Sequence, residues 1–397
     1  MSRDATAPTV GFVLWKYLEY TETFLHVQMS ALTRYRGVVL CSRVRHLDRF
    51  PWAGPLVPST RALPRVVQVF PRWHALVKLD PAWLRALAAE RVSVLHGQFG
   101  PSGLRAALYA RRLGLPLVTS FYGYDVGYLQ APAGHLRDHW HYVLGRRALF
   151  ATLARALVLS AAMRDDLVRL GCPEDKIAIH PNGIDLERFA AVDRRERTGP
   201  VTVALCGRAC EKKGFEYGFR ALRQALDAGV ELRARWLPAP GPLLEPLTSL
   251  LRELDLTATV EILDPSSSAT ALMASADLIL APSVTATTGD KEGVPTVLIE
   301  AAASGLPAVA TRHAGIPEIV LDGQTGWLFP ERDVAGLAAG LERLARNREL
   351  RLSMGRAARA LAEDRYDARR LAARLEEHYD EVRERARARP RRGHAAG

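Results

Sequence analysis

Two glutamates, Glu292 and Glu300, stand eight positions apart in the segment GDKEGVPTVLIEAAASGLPAVATRHAGIPEIV, Gly289 to Val320. In isolation that spacing reads as a loop charge followed by a charge on a helix surface. The setting makes the pair more specific. Glu292 falls in a glycine-containing loop after a strand expected to end near Pro282. Pro295 suits the first position of a helix, where its missing N–H costs no hydrogen bond. Glu300 then projects from about one turn inside that helix. The free amides around Gly293, Val294, Pro295 and Thr296 form a positive helix end suited to a diphosphate. One carboxylate is thus placed for sugar hydroxyls and the other for ribose hydroxyls, with phosphate between them.

A second constellation is CGRACEKKGF, Cys206 to Phe215. Arg208 directly follows a strand and Lys213 comes five residues later, before Gly214. A strand end carrying both cations can neutralise a diphosphate as it becomes a leaving group. Alone, the same residues also read as an ordinary basic turn. No G-x4-G-K-[ST] occurs, which excludes a P-loop. No D-x-D triplet is present to hold a metal–diphosphate, so the sequence predicts no metal and no cofactor.

The elements that must position these residues follow from hydrophobic patterning. Strands are expected at Thr9–Trp15, Val38–Cys41, Val92–His96, Pro116–Phe121, Ala156–Leu159 and Ile177–His180. A second series covers Val201–Cys206, Leu232–Leu237, Val260–Leu263, Leu278–Leu280 and Ala308–Thr311. Helical patterns separate most of them, which argues for parallel sheets covered on both faces. The stretch AAVDRRERTGP lacks apolar periodicity and reads as a solvated linker. The expected organisation is α/β: a first domain over 1–190, a linker over 191–200, a second domain over 201–366, and a final helix with a basic tail over 367–397. That helix is expected to return toward the first domain. In such folds ligands sit at the carboxyl ends of strands. Two closing helices are predicted, one capped by Asp333 with Val334, Leu337, Leu341 and Leu344 inward, the other carrying Leu371, Leu375, Tyr379 and Val382.

Taken together, the two motifs resemble family 4 of the retaining glycosyltransferases, which have the GT-B fold of two Rossmann-like domains facing across a cleft. Further stretches in order support the resemblance. YTETF (Tyr20–Phe24) resembles the S-E-T-F entry of exopolysaccharide-type members, and LHGQFG (Leu95–Gly100) is similar to their H-x-x-F-G. SFYGYDV (Ser120–Val126) resembles F-H-G-x-D, and PNGIDLERF (Pro181–Phe189) matches N-G-I-D. The resemblance implies that Glu292 contacts the donor sugar, that Glu300 contacts the ribose, and that Arg208 and Lys213 hold the diphosphate. It also implies that Asp125 and the loop at Gly123 face the transferred sugar, with Tyr122, His96 and Glu22 lining the acceptor and sugar pocket. Retention would proceed by a same-face displacement, the leaving phosphate taking the acceptor proton. Three departures stand out: Tyr122 in place of histidine, Ala239–Leu243 in place of G-D-G-P-L, and Asp264 in place of glycine.

The partners implied are a nucleotide-sugar donor and a saccharide or lipid-linked saccharide acceptor. A small soluble acceptor is the alternative, as is a nucleotide-sugar-binding protein without catalysis; a sugar-nucleotide hydrolase or epimerase fits less well. Bulk properties agree with a cytoplasmic enzyme. The 397 residues suit two domains at roughly 100–200 residues each. No run resembles a leader or approaches the ~20 apolar residues of a membrane helix. The four scattered cysteines read as reduced structural thiols. A net charge of +11 favours a polyanionic partner. No nucleic-acid module is visible. An anionic membrane at the inner face is expected instead, met by Arg34, Arg36, Arg43, Arg45, Arg49, Arg61, Arg65, Arg72 and Lys78. His135, His139 and His141 have poor spacing for a metal.

Overall fold

The computed structural model describes residues 6–19, 22–60, 79–130 and 140–388. Expectations about Tyr20, Thr21, Arg61, Arg65, Arg72, Lys78, His135 and His139 lie outside these residues, as does the tail from 389 onward. The chain divides into two compact units, one comprising 1–180 with 369–397, the other Pro181–Ala368.

The first unit is built on a parallel sheet of β1 (Thr9–Tyr17), β2 (Arg36–Val44), β3 (Leu56–Pro58), β4 (Val92–Gln98), β5 (Leu117–Phe121), β6 (Arg155–Val158) and β7 (Ile177–Ile179). Their spatial order is β3-β2-β1-β4-β5-β6-β7. β1 reads as a nearly unbroken apolar run because both its faces are covered, as parallel sheets require. Phe12 pairs with Val39 on one side and His96 on the other. Helices α1 (Thr23–Ser30), α2 (Pro81–Ala89), α3 (Gly100–Leu113), α4 (Tyr124–Gln130), α5 (Trp140–Thr152) and α6 (Ala161–Arg169) connect the strands. α2 starts sharply because the Asp80 side chain accepts from the Ala82 N–H and Pro81 follows.

The C-terminal helix, Ala368–Ala388, packs into this unit from Arg369 onward. Leu371, Leu375, Tyr379 and Val382 are buried on its inner stripe. Glu376, also buried, accepts from the backbone N–H groups of Thr33, Arg34 and Tyr35 and so ties the helix to the turn before β2.

The second unit holds β8 (Val201–Arg208), β9 (Leu232–Ala239), β10 (Val260–Ile262), β11 (Leu278–Ala281), β12 (Ala308–Thr311) and β13 (Gly326–Phe329) in the order β10-β9-β8-β11-β12-β13, all parallel. Its helices are α7 (Phe215–Asp227), α8 (Leu244–Glu253), α9 (Ala269–Ser275), α10 (Thr296–Ala303), α11 (Val334–Arg346) and α12 (Arg348–Arg365). Asp333 caps α11 by accepting from the Gly336 N–H.

Three features differ from the sequence reading. β3 and β13 are additional edge strands. A third closing helix, α12, stands between the two expected, begun by Asn347 accepting from the Leu350 N–H. The stretch taken for a solvated linker belongs to the second unit. Arg194 is buried there, its guanidinium donating to the carbonyls of Val192, Met273, Ala276 and Ser304. A buried guanidinium persists only when its donors are matched in this way.

Candidate functional site

In each sheet the strand order reverses once, between β1 and β4 in the first unit and between β8 and β11 in the second. Open α/β sheets bind ligands at the carboxyl ends of the strands at such a switch point. The candidate residues gather at both places.

In the second unit the turn after β8 and the loop after β11 are joined residue by residue. Glu211 accepts from the Thr287 N–H and hydroxyl, both at 2.8 Å. Lys212 donates to Asp290 at 3.2 Å. Lys213 meets Glu292 at 2.7 Å. Gly214 allows this approach: its φ is +60°, and a Cβ there would lie 1.9 Å from the Pro282 carbonyl oxygen. Glu292 is 8% exposed. Burial would raise its pKa, but the Lys213 and Lys212 charges outweigh burial and hold it at about 2. Lys213 is correspondingly raised: burial opposes its charge and Glu292 more than compensates. Arg208 ends β8 exposed and makes no ion pair among the described residues.

Pro295 occupies the cap of α10 rather than the first helical position. The Thr296 amide that follows has no carbonyl within the helix to meet, leaving a donor-rich end. Gly293 is fixed from outside by the Gly315 N–H, which donates to its carbonyl at 3.0 Å, and Val294 is buried. Glu300 is half-buried, and its carboxylate accepts no hydrogen bond among the described residues. Burial pushes its pKa up to about 7, against weaker opposing pulls from Arg188 and Lys213. This side of the site therefore offers one carboxylate tied to a cation and another with free oxygens.

The 239–243 loop packs against the turn after β8. The Leu243 N–H donates to the Ala209 carbonyl, and a Cβ on Gly241 would come within 2.2 Å of that oxygen. Asp264 is exposed and accepts from the Ser266 N–H and hydroxyl.

In the first unit, Leu14, Trp15, Lys16, Glu19 and Glu22 meet Phe99, Pro101, Ser102, Tyr124 and His141 around a cavity of about 280 Å³. It opens where β1 and β4 end. Glu22 accepts from the Glu19 N–H at 2.9 Å, and burial raises its pKa. Phe99 takes φ +70°, ψ 149°, a conformation rare for any residue with a Cβ. Such strain persists only where the surroundings impose it.

Asp125 imposes it. Its Oδ2 accepts from the Gly100 N–H at 2.9 Å, and its Oδ1 accepts from Tyr122 and Gly123 at 3.0 Å and from Val126 at 3.2 Å. The side chain is fully buried. Asp125, expected to face the transferred sugar, is placed by these four bonds to hold the Phe99 turn and the Tyr122–Gly123 turn.

His96, expected to line the acceptor and sugar pocket, lies inside β4, fully buried, with Nδ1 at 2.7 Å from the Tyr379 hydroxyl and Nε2 at 2.8 Å from the Ser120 hydroxyl. Burial lowers its pKa to about 3, so it stays neutral and structural. Tyr122 donates to Gln98 at 2.6 Å, and Gln98 donates to Gln28 at 3.1 Å. Phe24 and Phe99 pack on the Tyr122 ring. Among the described residues, no group of three or more His, Cys, Asp or Glu side chains is placed to hold a metal ion. All four cysteines are free thiols.

Residues 200–347 match the model described as "Glycosyl transferases group 1", and residues 32–188 match "Glycosyltransferase Family 4". A GDP-mannose-dependent α-(1-6)-phosphatidylinositol monomannoside mannosyltransferase of Mycolicibacterium smegmatis is 31% identical, over 72% of this chain and 75% of that protein. This chain belongs to glycosyltransferase family 4. A putative colanic acid biosynthesis glycosyltransferase, WcaL of Salmonella typhimurium, is 36% identical over 64% of the family 4 chain, but the alignment spans only 61% of WcaL. HepE of Anabaena, solved in complex with UDP and glucose, superposes with a TM-score of 0.75 over 94% of this chain and 100% of its own, at 17% identity. That likeness identifies the fold as GT-B.

Sequence reasoning missed several members of the site. Ser283, buried just after β11, lies 3.5 Å from Glu292. Lys212 and Asp290 flank the expected pair and brace it. His313 and Glu331 stand behind the Glu292 loop. The acidic lining at Glu19 had no signal beyond its nearness to Glu22.

Proposed function

We propose that this chain transfers a sugar, with retention of anomeric configuration, from a nucleotide-diphosphate sugar to a hydroxyl of a saccharide acceptor. The observation that carries the reading is the Glu292–Lys213 pair at the β8/β11 switch point, beside the donor-rich start of α10 and the unengaged carboxylate of Glu300. In this reading the diphosphate takes Lys213 and Arg208, Glu300 accepts from ribose hydroxyls, and Glu292 is released toward the sugar. The bond from the anomeric carbon to the β-phosphate oxygen breaks as the bond to the acceptor oxygen forms on the same face. The acceptor proton passes to the departing phosphate oxygen. The two cations and the helix end supply the positive charge, with no divalent metal and no cofactor.

The acceptor is proposed to enter the first-unit cavity. Trp15 and Tyr124 offer ring faces to a sugar, and Glu19 and Glu22 offer hydroxyl acceptors. The relatives named for colanic acid and amylovoran biosynthesis favour a saccharide acceptor, and the phosphatidylinositol monomannoside mannosyltransferase favours a lipid-linked one. A peripheral membrane contact fits the segment from Arg43 to Arg49. Val44 and Leu47 are exposed there among Arg43, Arg45 and Arg49. The basic patch is reduced, because Arg34 pairs with Glu376 and Asp380, Arg36 lies 3.8 Å from Glu90, and Arg45 lies 3.8 Å from Glu19. Among the described residues no helix is long and apolar enough to cross a membrane.

The test is a thermal-shift panel of UDP-, GDP-, ADP- and dTDP-sugars with EDTA or magnesium. A bound donor at ~100 times its Kd adds about 2.7 kcal/mol of stability. The expected result is a shift with one base, equal in EDTA and magnesium. A shift that needs metal contradicts the cation assignment, and no shift with any nucleotide sugar contradicts the reading.

A further inference from the structure

His313 is buried and sits directly behind the loop that carries Glu292. The Glu292 backbone N–H donates to His313 Nε2 at 3.0 Å. The other ring nitrogen, Nδ1, lies 2.6 Å from Glu331 Oε1. These two bonds fix the tautomer. Nε2 can accept only through its lone pair, so it carries no hydrogen, and the ring proton resides on Nδ1 and points at the Glu331 carboxylate. A ring protonated on both nitrogens would set one N–H against another. Glu331 is itself held by the Thr285 N–H at 2.8 Å and the Thr285 hydroxyl at 3.0 Å, and Arg332 meets its outer oxygen at 3.3 Å. The loop from 311 to 316 adds a second fastening, the Gly315 N–H on the Gly293 carbonyl. Thr311 donates to the Ser283 carbonyl, closing the loop at its other end.

We propose that His313 and Glu331 form a tautomer-locked relay that positions Glu292 for the sugar-transfer step. Glu331 keeps the imidazole proton on Nδ1, and Nε2 then fixes the Glu292 backbone. The Glu292 carboxylate is left as the part of that residue that moves between Lys213 and the donor sugar. The relay is a positioning device, because it acts on Glu292 through that residue's backbone N–H. It rests on the transferase reading above.

The experiment uses the full chain labelled with 15N-histidine, with His313 assigned by its loss in His313→Gln. The expected wild-type spectrum shows Nδ1 protonated and Nε2 bare; in Glu331→Ala it shows both tautomers. Release of nucleoside diphosphate is then measured with the donor chosen by the thermal-shift panel. His313→Leu is expected to lower kcat about 100-fold with little change in donor KM, as a small misplacement of a reacting group does. His313→Gln, whose amide oxygen can accept the Glu292 N–H, recovers part of that loss. Exchange of the Glu292 amide should be faster in His313→Leu than in wild type. A wild-type Nε2–H tautomer overturns the proposal, as does an unchanged Glu292 amide in His313→Leu. So does full turnover in His313→Leu when Glu292→Ala is inactive. If Glu292→Ala is itself fully active, the transferase role of Glu292 fails, and with it the relay's part in sugar transfer; the spectrum and the amide exchange still decide whether His313 fixes the loop.

Discussion

Both units carry a buried carboxylate near the carboxyl ends of their strands, and the two are held in opposite ways. Asp125 in the first unit accepts four backbone N–H bonds through its two oxygens. Glu292 in the second unit is fastened by its backbone to His313, while its carboxylate meets the Lys213 ammonium. A buried carboxylate that accepts four backbone amides shapes the chain. A carboxylate paired with an ammonium can exchange that partner for a ligand, because an incoming phosphate satisfies the lysine in its place. The same residue chemistry thus serves architecture in one unit and is available for reaction in the other.

That contrast breaks first at Glu292. Glu292→Ala should lower turnover on the order of 100-fold, the scale of removing one preorganised electrostatic contact. Glu300→Ala should instead weaken nucleotide binding with less effect on kcat, because the ribose does not react. Steady-state kinetics with nucleotide titration separates the two, and equal small effects from both would erase the distinction between the carboxylates.

Stability sharpens it next. Asp125→Asn leaves buried amides short of an acceptor and should cost about 1–3 kcal/mol, seen as a lower Tm that no nucleotide restores. Glu292→Gln should also lower Tm, because it leaves Lys213 buried without a counter-charge. There, however, a nucleoside diphosphate should restore most of the loss, its phosphate replacing the missing carboxylate. A ligand-restored Asp125→Asn would contradict the assignment of Asp125 to architecture.

The smallest expected effect is a pH dependence. Glu300 is protonated in the folded protein below about 7 and ionised above it. The carboxylate accepts two ribose hydroxyls better than the acid does, so nucleotide affinity should rise a few-fold as pH rises through 7. The ionisation of the diphosphate acts in the same direction. Calorimetry on Glu300→Gln isolates the difference, and an identical pH profile in that variant would remove Glu300 from the ribose.

The second-unit site was more legible in the sequence than the first for a physical reason. Glu292, Pro295 and Glu300 sit in one local segment, and Arg208 and Lys213 in another, so their spacing together with the glycines and proline around them reveals them. His313 and Glu331 act on Glu292 from 21 and 39 positions away along the chain, and neither residue carries a local mark. In the first unit, His96 followed the family pattern, yet the Tyr379 and Ser120 hydroxyls that satisfy it come from distant elements. The central strands were readable because burial on both faces makes them apolar runs. Leu56–Pro58 is a three-residue edge ending in proline, and Gly326–Phe329 borders the other sheet, so neither shows a run. Helix α12 was hidden by charge: its buried stripe includes Gly355 and Ala358 beside Met354 and Leu361, small groups that leave a weak period.

The central claim is that the nucleotide sugar is held by the second unit, at the β8/β11 switch point. Hydrogen–deuterium exchange of the full chain, with and without the nucleotide sugar selected by thermal shift, tests it most directly. The account predicts protection at Arg208–Gly214 and across Ser283–Glu300, including the amides at the start of α10, while Leu14–Glu22 and Phe99–Ser102 exchange as before. Protection confined to the first-unit cavity, with the Glu292 loop unchanged, would contradict it.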